Sequence, residues 1–107
     1  MDQRNQKMAN MIKEWSAQFL EQESNRTSLI TVTNISLTSD SKKATIYISV
    51  LPTEKEHAAL DFVKRKRKEL REFIKNKIRT KIIPFIDIEI DQGEKNRQRI
   101  DELLRGK

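Results

Sequence analysis

The chain has 107 residues, enough for one domain around one core and too few for a separate catalytic domain. It has no cysteine, which excludes disulfides, thiol catalysis and cysteine-ligated zinc, and it fits a reducing cytoplasm. Lys and Arg number 22 against 16 Asp and Glu, a net charge of +6, so an acidic partner is expected.

No apolar run approaches the ~20 residues that span a bilayer, and Met1 to Gln6 lacks the apolar stretch of a signal peptide. A cytoplasmic protein without membrane contact is the expectation. Met8, Ile12, Trp15, Phe19 and Leu20 then recur at helical spacing, which predicts a first helix over residues 10–23. Residues 24–28 form a turn-rich break. Residues 29–37 are β-rich, with Ile30, Val32, Ile35 and Leu37 among Thr and Ser. The alternation changes phase between Val32 and Ile35, so a bulge is expected near Thr33 and Asn34.

Residues 38–42 turn the chain. Residues 43–50 are the cleanest strand: Ala44, Ile46, Ile48 and Val50 point one way, Lys43, Thr45, Tyr47 and Ser49 the other. The two strands are close in sequence, so an antiparallel hairpin is expected. Pro52 ends the strand, and Thr53 with Glu54 and Glu56 marks a helix start.

Helix runs in some form over residues 54–80, with apolar positions Ala59, Phe62, Val63, Leu70, Phe73, Ile74 and Ile78. Its apolar face passes through Lys66. Burying an unpaired ammonium is costly. Two outcomes are open: Lys66 snorkels out of the groove, or the helix kinks within residues 64–68 and this turn faces water. The kink is the preferred reading.

Pro84 stops any helix, and residues 85–91 read as a third strand with Ile86, Ile88 and Ile90 inward and Asp87, Glu89 and Asp91 outward. The chain divides into a domain at residues 1–92 and a polar tail at 93–107, where Ile100, Leu103 and Leu104 form a small apolar patch on a short terminal helix. The fold class is α+β, in the order α-β-β-α-(kink)-α-β. A three-stranded sheet carries helices on one face. Its other face, with Thr45, Tyr47, Ser49, Asp87 and Glu89, is expected to stand in solvent.

Residues 64–81 hold ten basic residues and two acidic ones, a surplus of eight. All the net positive charge lies here. Such focusing points to a polyphosphate backbone, although a charge run is more often a solvated helix face. The candidate RNA-binding residues are Lys64, Arg65, Lys66, Arg67, Lys68, Arg71, Lys75, Arg79 and Lys81. They suit reading of shape and backbone rather than base sequence. Gly93 and Gly106 are the only glycines, which excludes both a GxxG clamp between helices and a P-loop. Tyr47 reads as packing on the open face rather than stacking a base, and Trp15 as core. His57 has no nucleophile motif beside it and reads as a surface residue, so no enzyme is expected. Asp87, Glu89 and Asp91 are spaced for a strand rather than a metal loop, so neither metal nor cofactor is expected.

Four stretches resemble the ribosome-binding factor A family. Ile30 to Leu37 followed by Ser39-Asp40 is similar to its first strand and turn. Lys43-Ala44-Thr45-Ile46-Tyr47-Ile48-Ser49-Val50-Leu51 is similar to its second strand. Arg79-Thr80-Lys81-Ile82-Ile83-Pro84 resembles its junction before the third strand, and Arg99-Ile100-Asp101-Glu102-Leu103-Leu104 its closing motif. The resemblance implies a type II K-homology-like fold without GxxG. It also implies a non-enzymatic role in late maturation of the small ribosomal subunit, including rRNA processing. The expected partners are that subunit's rRNA and assembly GTPases, the protein acting as a monomer, with a link to growth in the cold. The family carries an Ala-x-Gly kink between its last two helices, where this chain has Lys66-Arg67-Lys68. The competing reading is a protein-interaction module that uses the acidic sheet face or the terminal helix.

Overall fold

The computed structural model describes residues 3–23, 27–78 and 83–105. The elements are α1 (Gln3–Glu23), β1 (Leu29–Leu37), β2 (Lys43–Leu51), a 3-10 turn (Thr53–Lys55), α2 (Glu56–Arg65), α3 (Arg67–Lys77), β3 (Phe85–Ile90) and α4 (Gln92–Arg105). The order is the one expected. Helix α1 starts about two turns earlier than its apolar pattern indicates, because its first residues are polar and carry no periodic signal.

The sheet runs β1-β2-β3, with β2 in the centre. Strands β1 and β2 pair antiparallel, Ile30 opposite Val50 and Ile35 opposite Ile46, and the register shifts at a bulge between Val32 and Asn34. The turn between them is built on Asp40: its Oδ1 accepts from Thr38 Oγ1 at 2.7 Å and from the Lys42 N–H at 3.0 Å. Ser41 takes a positive φ of 61° there. Strand β3 lies parallel to β2, with Ala44, Ile46 and Ile48 opposite Ile86, Ile88 and Ile90.

Alternation sends the β2 and β3 isoleucines to one face, where Ile12, Phe19, Leu20, Val63, Leu70 and Ile74 from the helices cover them. Phe73 of α3 meets α1 through Trp15 and Phe19, with ring centroids 6.5 and 5.5 Å apart. Each buried aliphatic side chain contributes about 1.5–3 kcal/mol, against about 0–1 kcal/mol for an exposed ion pair. Apolar packing therefore sets where the helices lie.

The other face is less open than the alternation suggests. Thr45 and Ser49 are each only 9% exposed. Both sit on the central strand, Thr45 between Ser36 of β1 and Asp87 of β3, Ser49 beside Thr31 of β1. Short polar side chains in that position are covered by their neighbours. Helix α4 packs little against the body, and its three aliphatic residues, Ile100, Leu103 and Leu104, are all exposed.

Candidate functional site

The helical stretch breaks at Lys66. Its N–H bonds to Phe62 O at 3.2 Å and Val63 O at 3.0 Å, ending α2, and its carbonyl accepts the Leu70 N–H at 2.8 Å, the first bond of α3. The backbone at Lys66 has φ −90° and ψ 3°. That is the bridge region, sparsely populated yet allowed to a residue with a side chain, so the bend does not require glycine at Lys66. The departure from the family's small-residue pattern is therefore sterically permitted at this position.

The break lets Val63 and Leu70, both fully buried, stay on one apolar face while the residue between them turns away. Both outcomes open to Lys66 are combined. The chain bends there, and the ammonium also reaches outward, 3.7 Å from Glu23 of α1 and 3.4 Å from Glu69. It lies 5.9 Å from the centre of the Phe62 ring. Lys66 is a half-buried tie between α1 and the elbow, not a free cation.

Arg67 and Arg71 are also held. Arg67 pairs with Asp87 of β3 at 3.4 Å and lies over the Phe85 ring at 5.3 Å. Arg71 donates to the Ile83 carbonyl at 3.0 Å. Together they fasten α3 to the segment entering β3. Lys77, outside the candidate set, covers the Trp15 and Phe73 rings at 5.3 and 5.4 Å.

Lys64, Arg65, Lys68 and Lys75 differ. All four are exposed, and none makes an ion pair among the described residues. Lys64 and Arg65 end α2, where cations suit the helix dipole. Lys68 stands in the first turn of α3, where a cation is disfavoured, and the helix has no side-chain cap to offset it. Lys75 lies seven residues on, along the same face. Arg79 and Lys81 lie outside the described residues.

Sequence patterns gave no sign of the partners that hold the other three. Glu23 sits far away in the chain, and Asp87 reads as a solvated strand residue. His57 is a surface residue whose Nε2 is 3.3 Å from Asp61.

The family model for ribosome-binding factor A matches residues 4–104. The chain belongs to the ribosome-binding factor A family. A ribosome-binding factor A from Chlorobium luteolum is 30% identical over 109 aligned positions, which cover 98% of this chain and 92% of that one. The crystal structure of ribosome-binding factor A from Thermus thermophilus superposes with a TM-score of 0.72 at 17% identity, over 80% of this chain and 94% of that one. A homology model of Thermus thermophilus ribosome-binding factor A, fitted into a cryo-EM map of a 30S complex, gives a TM-score of 0.71 at 17% identity, over 80% and 93% of the two chains. The α+β order and the three-stranded sheet are those of the family's structures. Among the described residues no helix is long and apolar enough to cross a membrane.

Proposed function

We propose that this chain is a non-enzymatic, cytoplasmic assembly factor that docks on small-subunit rRNA through the α2–α3 elbow during late maturation. The observation that carries this reading is the division of labour among the elbow cations. Lys66, Arg67 and Arg71 are engaged in holding the bend, while Lys64, Arg65, Lys68 and Lys75 are presented outward without partners among the described residues. Arg79 and Lys81 complete the proposed footprint. The Thermus relative fitted into a 30S complex supports the small subunit as the target.

A contact of this kind reads phosphate position and shape. Phosphate contacts of this kind give a steep salt dependence, with about one unit of log–log slope for each cation that meets a phosphate. The test is binding of the purified protein to purified small subunits across a potassium chloride series. Arg65→Glu with Lys68→Glu weakens binding at low salt and flattens the slope by roughly two units. Wild-type affinity that ignores salt overturns the rRNA reading.

That result favours the second reading, a protein contact through α4. Its observation is the exposure of Ile100, Leu103 and Leu104, at 57, 67 and 75%. Release by assembly GTPases, a role in the cold and action as a monomer belong to the rRNA-docking proposal.

A further inference from the structure

The outer edge of β1 is unguarded. It is an edge strand of nine residues with no charge and no proline, and among the described residues its one protective device is the bulge between Val32 and Asn34. Past the bulge, the Asn34 carboxamide accepts from the Ile35 N–H at 2.8 Å. The stretch before it, Leu29 to Val32, carries no such side-chain bond among the described residues. These same four residues form one wall of a groove of about 460 Å³, whose other wall is Ala17, Leu20, Glu21 and Gln22 of α1. Leu29 is 62% exposed in that groove.

An open strand edge beside an apolar groove is the geometry of strand addition. The edge supplies main-chain hydrogen bonds, and the groove takes alternate side chains. Charge selects the occupant. Among the residues that line the groove Glu21 is the charged one, a carboxylate with no cation beside it in the lining, and β1 is uncharged. This wall repels phosphate. It also disfavours a second copy, which would bring a like charge, Glu21, to both sides of the contact. We infer that the β1 edge, with the α1 groove, accepts an extended basic peptide as a fourth strand. The cations of the elbow and this groove with its single carboxylate are then two separate docking surfaces, one for RNA and one for protein.

The test uses the full chain and a synthetic peptide of about eight residues alternating Val and Lys, long enough to cover the open stretch of about 14 Å. NMR titration and amide hydrogen exchange are the readouts. The expected result is shifted and slowed amides at Leu29, Ile30, Thr31 and Val32. Glu21→Lys is expected to weaken binding roughly five-fold, and N-methylation of alternate peptide amides to abolish it. Equal binding of a Val–Glu peptide overturns the inference. So does binding that survives N-methylation, or protection of β1 that grows with protein concentration and needs no peptide, which would reveal a second copy. Shifts at β1 on adding a single-stranded RNA oligomer overturn it as well.

Discussion

Thr33, the residue at the β1 bulge, donates a 2.6 Å hydrogen bond to Oδ2 of Asp91, just past the end of β3. The other Asp91 oxygen accepts the Glu94 N–H at 3.0 Å and so caps α4. One carboxylate thus joins the two outer strands across β2 and starts the terminal helix. The bulge has a use: it brings the Thr33 hydroxyl, also 3.3 Å from the Tyr47 carbonyl, to this point.

Asp91→Ala removes both bonds. Loss of an N-cap costs about 1 kcal/mol. A helix of 14 residues with little packing against the body is marginal by itself. The expected outcome is loss of α4 helicity, read by circular dichroism and by faster exchange of its amides, with β-sheet amides unchanged. Asp91→Asn keeps a capping oxygen and is expected to retain most of the helix.

The Thr33 hydroxyl, and after it the Glu94 N–H, hold the Asp91 carboxyl below the usual carboxylate range. A depressed folded pKa means the contribution is present above the unfolded value of about 3.9 and is lost as pH falls through the folded one. The signal of α4 therefore holds from neutral pH down to about 4 and fades below it. In Asp91→Asn this acid step disappears, and an unaltered acid step in that variant would remove Asp91 as its origin.

Ser16 is fully buried in α1, and its hydroxyl has no hydrogen-bond partner among the described residues. An unsatisfied buried hydroxyl is destabilising by about 1–3 kcal/mol, and alanine is also the better helix former. Ser16→Ala is expected to stabilise by about 1 kcal/mol, raising Tm by roughly 4–8 °C. A lower Tm would mean that the hydroxyl has a partner, such as a buried water.

The sheet was legible because its signals are local. Alternation along Lys43–Leu51 and Phe85–Ile90 marks which residues face the core, and the phase change at Val32 marks the bulge. The kink was legible through an inconsistency, a lysine on an apolar stripe. The roles of the elbow cations were not. Lys64 and Lys66 are the same residue type two positions apart, yet one is exposed and the other tied to Glu23. That distinction comes from α1 packing beside α3, a tertiary relationship with no local trace. Thr45 and Ser49 escaped for a similar reason, since alternation gives the face of a residue but not the height of its neighbours.

The two lysines on either side of Arg67 separate holding from docking. Lys66→Ala removes partly exposed ion pairs to Glu23 and Glu69, a loss of under about 1 kcal/mol. The bend itself survives, because φ −90° and ψ 3° suit alanine and because Val63 and Leu70 stay buried. Lys68→Ala removes no ion pair among the described residues and relieves a cation from the positive end of α3, so its stability is expected to be equal or slightly higher. Binding to small subunits reverses the ranking. Lys68→Ala lowers the salt slope by about one unit, whereas Lys66→Ala leaves the slope unchanged. Chemical denaturation and a salt titration on the same two proteins measure both quantities. Equal slopes for the two variants would show that the outward cation is not the one meeting phosphate.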